Sequence, residues 1–101
     1  MDEEDKYNKI QKNLPQATQS IFNELRKFCL SLGNNVIEDI RTHRIVFCKS
    51  INFRWFVDIK PDSGKLFIRI QKNRKMNRIF DSDYNIEEIK KSIQDAYDNI
   101  R

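Results

Sequence analysis

Residues 53–71 read FRWFVDIKPDSGKLFIRIQ. This stretch predicts a β-hairpin, and the rest of the fold is arranged around it. Apolar side chains recur at every second position on both sides of residues 61–64, PDSG, and this period is typical of a half-buried β-strand. Proline presets a turn-compatible φ and glycine supplies a positive φ, so PDSG is expected to turn the chain. The alternation places one set of side chains towards the core: Phe53, Trp55, Val57, Ile59, Leu66, Ile68 and Ile70.

Helical patterns lie on either side of this hairpin. Between residues 15 and 32, apolar side chains recur at steps of three and four, which predicts a helix with one buried stripe. Gly33 is expected to adopt the left-handed conformation just past its end. Asn85 predicts the N-cap of a helix that runs to the C-terminus, and residues 1–14 predict an acidic N-terminal arm or a short docking helix.

Two more strands are predicted between the first helix and the hairpin, at residues 36–40 and 44–49. Residues 72–78 are basic with almost no apolar content and predict a loop, followed by a short extended piece at residues 79–80. We therefore expect residues 15–101 to form a single α+β domain. Its antiparallel meander sheet would have about four strands, flanked in sequence by an N-terminal and a C-terminal helix that both pack on one face.

The composition narrows the classes of protein and site. The chain has 101 residues and its longest apolar run is only residues 45–48, so no membrane span is predicted. Two glycines 31 positions apart cannot build a glycine-rich phosphate loop, and one His with two distant Cys cannot build a Cys/His zinc site. We expect no cofactor, no metal and no catalytic residue. Without an export signal the chain is expected to be cytoplasmic, with reduced thiols.

The net charge of +4 is unevenly distributed along the chain. From Arg41 to Arg78 there are eleven basic and two acidic residues, whereas the rest of the chain has eight basic and thirteen acidic residues. The strand region therefore carries +9, and the helices with the N-terminal arm carry −5. A polyanion would be drawn to the sheet and repelled by the helices.

The second face of the hairpin is expected to stay open, because each helix has one apolar stripe and both helices cover the other face. Aromatic rings between Arg and Lys on an open sheet are typical of single-stranded nucleic-acid binding. The candidate binding residues are Lys49, Arg54, Phe56, Lys60, Phe67, Arg69, Lys72, Arg74, Lys75 and Arg78. Phe47 is expected to extend this face from the neighbouring strand. We predict a non-enzymatic accessory module that binds nucleic acid; a protein-interaction or homodimerisation module on the same face is the alternative.

A minor alternative is a Mg-dependent nuclease-like domain. Asp58 and Lys60 share one face of a strand, and Asp39 lies on an earlier predicted strand. This pattern is similar to that of restriction-endonuclease-like nucleases, in which two acids hold Mg²⁺ and a lysine positions the attacking water. Acid-x-Lys triplets are frequent in a chain this charged, however, so Asp58 is expected to pair with Arg69 or to lie beside Arg54.

Five short motifs are spread along the chain: SIFNELRKF at 20–28, Leu32-Gly33, Asn52-Phe53, Lys65-Leu66 and IQDAY at 93–97. Together they resemble a bacterial and archaeal domain of unknown function that often forms the C-terminal part of longer chains labelled predicted transport proteins. The resemblance covers residues 17–101 and implies a fold through core-forming apolar positions. This chain departs from that family between Arg78 and Asn85, where members have a longer segment with Gly, His and Trp, and no site residue is carried over.

Overall fold

The strands of the structure, a computed structural model, pair in the order in which they follow one another along the chain. The structure describes residues 3–51, 53–73 and 76–100. Its elements within these ranges are α1 (Glu3–Gln11), α2 (Gln16–Leu30), β1 (Val36–Ile40), β2 (Ile45–Lys49), β3 (Arg54–Asp62), β4 (Lys65–Asn73), β5 (Met76–Asp81) and α3 (Ile86–Asn99). Each strand is antiparallel to the next, in the order β1-β2-β3-β4-β5. The predicted α+β class and meander sheet are confirmed, with five strands where about four were expected.

The fifth strand lies in the segment that the sequence predicts as a basic loop. β4 continues through Asn73 and β5 begins at Met76, so the prediction of a loop over residues 72–78 is wrong outside residues 74 and 75, which the structure does not describe. β5 pairs with β4 at one edge of the sheet. Charged side chains are compatible with an edge strand because they project into water and protect the edge from pairing with other chains.

The turn between β3 and β4 is tighter than the predicted one. Ser63 and Gly64 have φ values of 54° and 80°, which is typical of a two-residue type I′ hairpin. Pro61 lies in β3, so the prediction that it belongs to the turn is wrong. β2 begins at Ile45, opposite Ile59, and β3 therefore extends past β2 before Pro61 is reached. The missing N–H of Pro61 consequently interrupts no pairing with β2.

The predicted N-cap of α3 is confirmed, whereas the predicted conformation of Gly33 after α2 is wrong. The side-chain oxygen of Asn85 accepts hydrogen bonds from the backbone N–H groups of Glu87 and Glu88 at 2.9 and 3.2 Å, as predicted for an N-cap. Gly33 does not have the expected positive φ. A Cβ atom at this position would overlap the hydroxyl oxygen of Tyr97, so a larger residue there would require that side chain to shift.

All three described helices pack on one face of the sheet and share one core. Phe22 and Leu25 of α2 are fully buried, as are Ile89 and Ile93 of α3. Tyr7 brings α1 into the same core, because its ring lies 5.1 Å from that of Phe22. The strands contribute Ile40, Ile45, Phe47, Phe56, Val57, Ile59, Leu66, Ile68, Ile70 and Phe80. The other face of the sheet is covered by none of the described helices.

Candidate binding face of the sheet

A bulge in β3 decides which side chains reach the face opposite the helices, which we call the open face. Phe47 of β2 lies opposite Val57, but its neighbour Cys48 lies opposite Trp55, so Phe56 is an extra residue on β3. A bulge places two consecutive side chains on one face and reverses the alternation on its far side. The side chains on the open face include Ile37, Asp39, Val46, Cys48, Trp55, Asp58, Lys60, Phe67, Arg69, Gln71, Asn77, Ile79 and Asp81.

Phe56 is fully buried, so the prediction that it lies on the open face is wrong. Its ring lies 6.4 Å from the ring of Phe47 and meets Tyr97 of α3 edge-on at 5.4 Å. Phe47 is likewise fully buried, and the expectation that it extends the open face is also wrong. Phe56 packs the sheet against α3, Phe47 packs against Phe56, and neither ring is accessible to a ligand.

Lys49 and Arg54 lie on the helix side of the sheet, which corrects their predicted place on the open face. They are opposite each other in the β2–β3 register, and directly opposite residues share a face. Lys49 Nζ donates a hydrogen bond to the carbonyl oxygen of Ile100 at 2.8 Å and lies 4.2 Å from the ring centroid of Tyr97. Lys49 therefore caps the C-terminal end of α3, where a cation is stabilised by the helix dipole.

The basic residues of the β4–β5 hairpin contribute less to the open face than expected. Arg78 lies opposite the core residue Ile70, and its guanidinium carbon is 4.5 Å from the ring centroid of Phe80. Arg78 therefore does not lie in a loop beside the open face as predicted, because it belongs to β5 and these contacts put it at the helix-side margin. Arg74 and Lys75 lie outside the described residues, as does the side chain of Lys72. Binding by these three stays a prediction.

Three predicted site residues, Lys60, Phe67 and Arg69, do lie on the open face. Lys60 and Phe67 are opposite each other in the β3–β4 register, so a cation and an aromatic ring lie side by side. Phe67 is 39% exposed although it is large and apolar. Arg69 lies two positions further along β4 on the same face. This part of the sheet offers an accessible ring beside two cations, with Asp81 of β5 opposite Phe67 on its other side.

Trp55 is the aromatic residue that simple alternation assigns to the wrong face. It is partly buried, and the guanidinium carbon of Arg69 lies 5.0 Å from its ring centroid. Beside it lies a shallow cavity of about 230 Å³. The cavity is lined by Arg41, Arg44, Val46, Cys48, Phe53, Trp55, Asp58 and Arg69. Phe53, expected in the core, is exposed at this cavity with a φ of 54°, a conformation that is rare for a bulky residue.

Asp58 lies near the centre of the open face and is almost completely buried. Its Oδ2 atom accepts hydrogen bonds from Arg44 Nη1 at 2.9 Å and from Arg69 Nη2 at 3.0 Å. The predicted pairing of Asp58 with Arg69 is confirmed, and Arg44 is a second partner that sequence reasoning missed. A charged group this deeply buried requires such partners because desolvation disfavours an isolated charge.

The acids of the nuclease-like pattern are both engaged by arginines. Asp39 accepts a hydrogen bond from Arg41 Nε at 3.0 Å, and Asp58 is held as described above. Over the described ranges, no three His, Cys, Asp or Glu side chains form a group that could hold a metal ion. Burial raises the pKa of the Cys48 thiol, with Asp39 adding to the rise and Arg41 opposing it, which disfavours the reactive thiolate.

The open-face residues that sequence reasoning missed are Trp55, Arg41 and Arg44. A signal for Trp55 was present, because residues 55–57 are three consecutive apolar residues and such an interruption of the alternation is typical of a bulge. Arg41 and Arg44 belong to the turn between β1 and β2, where the Arg41 N–H bonds to the Arg44 carbonyl oxygen at 2.8 Å. Alternation within strands does not determine where turn side chains lie, so no pattern pointed to these two.

No protein-family model matches this chain, and no curated protein or solved structure matches it either. The resemblance to a domain of unknown function therefore stays a prediction. Among the described residues, no helix is long and apolar enough to cross a membrane. What the chain can bind is best judged from the chemistry of its open face.

Proposed function

We propose that this chain is a non-enzymatic module that binds single-stranded nucleic acid on the open face of its sheet. The observation that carries the proposal is the combination of rings and cations on one uncovered face, Trp55 and Phe67 beside Arg44, Lys60 and Arg69. Rings stack on unpaired bases of any sequence, and cations contact the phosphates between them. A single strand supplies both kinds of partner at once.

Stacking on two rings accounts for a substantial part of the affinity that such a module needs. Each stacked base contributes about 1–3 kcal/mol, whereas a Kd of 1 μM corresponds to about 8 kcal/mol. Trp55 and Phe67 together would supply about 2–6 kcal/mol of that free energy. The remainder would come from contacts between the cations and phosphates, which weaken as salt rises. We therefore expect micromolar affinity at low salt.

A single strand suits this face better than a duplex. In a duplex the bases are stacked on one another, and their flat faces are not available to protein rings. Phe67 is accessible at the surface of the sheet, and Trp55 borders a cavity that an unpaired base could enter. Binding should therefore be tighter to an unstructured oligonucleotide than to a duplex of the same length.

Fluorescence anisotropy of labelled oligonucleotides of about 12 nucleotides, within the range of sites that such faces bind, tests the proposal. The double variant Trp55→Ala/Phe67→Ala is expected to bind at least about tenfold more weakly than the wild type, since two stacking contacts are lost. Tyr84→Ala is the matched control, because Tyr84 is an exposed aromatic residue that packs on Phe80 rather than on the open face. No binding by the wild type at micromolar protein and low salt contradicts the proposal.

A protein-interaction or homodimerisation module on the same face is the second candidate. It is favoured by two large apolar side chains that are strongly exposed, Phe53 at the cavity at 75% and Ile79 on the open face at 65%. Covering these side chains with a partner would remove apolar surface from water, which favours association. Light scattering at high protein concentration tests the homodimer version, which predicts a doubled mass that Phe53→Ser returns to that of the monomer. A wild-type monomer at high concentration removes that version.

A further inference from the structure

Asp58 is a buried acid in the middle of a surface that the proposed function requires to be positive. Its side chain is 6% exposed, whereas those of its partners Arg44 and Arg69 are 34% and 44% exposed. A negative charge at this position reduces the attraction between the face and a polyanion. If nucleic acid were attracted by net charge alone, nothing would explain why an acid lies at this position.

One oxygen atom holds both arginines. Arg44 Nη1 and Arg69 Nη2 lie 2.9 and 3.0 Å from Asp58 Oδ2, so the two nitrogens cannot be further apart than the sum of these distances. An arginine has several N–H donors in a planar fork, so one bond to Asp58 leaves each arginine with donors for a ligand. Arg69 is also braced against the ring of Trp55. Asp58 thereby fixes two partly exposed guanidinium groups close together.

The second oxygen atom of the carboxylate is evidence against a purely stabilising role for Asp58. Asp58 Oδ1 is buried and has no hydrogen-bond partner within the part of the chain that the structure describes. A buried polar atom without a partner is unfavourable, and replacing a buried ion pair with apolar residues is often neutral or stabilising. A carboxylate that leaves one buried oxygen without a partner while it orients two partly exposed arginines is best explained by what those arginines bind.

We propose that Asp58 is a positioning residue that holds Arg44 and Arg69 as a clamp on one phosphodiester group of the bound strand. This inference rests on the proposed function and specifies how the strand is held. The two anionic oxygens of a phosphodiester match the parallel N–H groups of guanidinium forks. Because the clamp adjoins Trp55, a base next to the clamped phosphate lies within reach of that ring.

The first test uses a substitution for which the net charge and the positioning role predict opposite changes in affinity for the oligonucleotide. Asp58→Asn removes a negative charge, so net charge alone predicts tighter binding of a single-stranded oligonucleotide. The clamp predicts binding about five- to thirtyfold weaker, the effect of losing one or two kcal/mol, because the arginines lose their orientation. Asp98→Asn is the matched control, since it removes the same charge from an exposed acid on α3, away from the open face and outside any arginine pair shown for that face, and it should bind at least as tightly as the wild type.

A double-mutant cycle then separates positioning from charge. Replacing Arg44 and Arg69 by Gln should reduce the magnitude of the slope of log K against log salt by about 0.7, since the clamp neutralises one phosphate and each neutralised phosphate of a single strand contributes about 0.7. In this background, Asp58→Asn should not weaken binding further, because no arginine is left to orient. Equal weakening by Asp58→Asn in both backgrounds overturns the inference.

Circular dichroism and urea unfolding first establish that Asp58→Asn folds. If that variant does not fold, Arg44→Lys/Arg69→Lys replaces it, because it keeps both charges and removes the planar forks. The clamp predicts that this variant binds more weakly, and unchanged binding contradicts it. Absence of wild-type binding refutes the proposed function and the clamp together. Wild-type binding that Asp58→Asn leaves unchanged or tightens refutes the clamp alone.

Discussion

Phe56→Ala is expected to destabilise the protein far more than Trp55→Ala, although the two residues are neighbours on β3. Phe56 is fully buried, and truncating a buried Phe to Ala costs about 3–5 kcal/mol. The rings of Phe47 and Tyr97 place the expected cost towards the upper end of that range, because aromatic contacts add about 0.5–1.5 kcal/mol to the effect of burial. A domain of this size is stable by about 5–15 kcal/mol in total, so this one change removes a large fraction of its stability.

Trp55→Ala should cost only about 1–2 kcal/mol, because part of that side chain is already in water. Urea unfolding followed by circular dichroism measures both variants, and the dependence of the free energy of unfolding on urea should remain the same as in the wild type. If Phe56→Ala does not fold, Phe56→Leu provides a milder variant with an expected cost of about 1–2 kcal/mol. Equal costs for Phe56→Ala and Trp55→Ala, or a larger cost for Trp55→Ala, would refute the bulge, because strict alternation would then place Trp55 in the core.

Two further predictions concern the packing of the helices. Gly33→Ala should destabilise the fold by about 1–3 kcal/mol in thermal or urea unfolding, because its Cβ overlaps the hydroxyl of Tyr97, and the cost should shrink in a Tyr97→Phe background. Burial raises the pKa of the Tyr7 phenol to about 12, with Glu38 and Glu4 adding to the rise and Arg26 opposing it. In the unfolded chain the tyrosine pKa is about 10. The stabilisation that comes from the buried phenol is therefore complete below about pH 10 and is lost as the pH rises through about 12. This loss lowers the free energy of unfolding by up to about 3 kcal/mol. Unfolding measured across that interval should show the decline in the wild type and a smaller one in Tyr7→Phe; equal declines would contradict the assigned pKa.

The bulge explains why one half of the candidate site could be predicted and the other half could not. After Val57 the alternation of β3 is regular, and the predicted face of Lys60 agrees with the structure, as it does for Phe67 and Arg69 on β4. Before Val57 the predicted face of every residue is reversed, so Trp55 lies on the open face and Arg54 does not. Which residue is extra depends on packing against α3, and the sequence of one strand does not contain that information.

The number of strands was underestimated because apolar content is a poor guide at the edge of a sheet. β5 includes Asn77 and Arg78, whose polar side chains are exposed, yet their backbone groups pair with β4. The helices were easier to predict, since buried stripes at three- and four-residue steps are a strong local signal. Arg44 was missed because its contact with Asp58 joins a turn to a strand fourteen positions away.

Titration of the intrinsic fluorescence of Trp55 with a single-stranded oligonucleotide tests whether bases stack on the open face. Trp55 is the single tryptophan of the chain and lies on the open face beside Arg69, so its emission reports on that face alone. If bases stack there, the emission should be quenched saturably at low salt, and the quenching should reverse as salt is added. Oligonucleotide binding detected by anisotropy without any change in Trp55 emission would contradict the account, because the strand would then bind elsewhere on the protein.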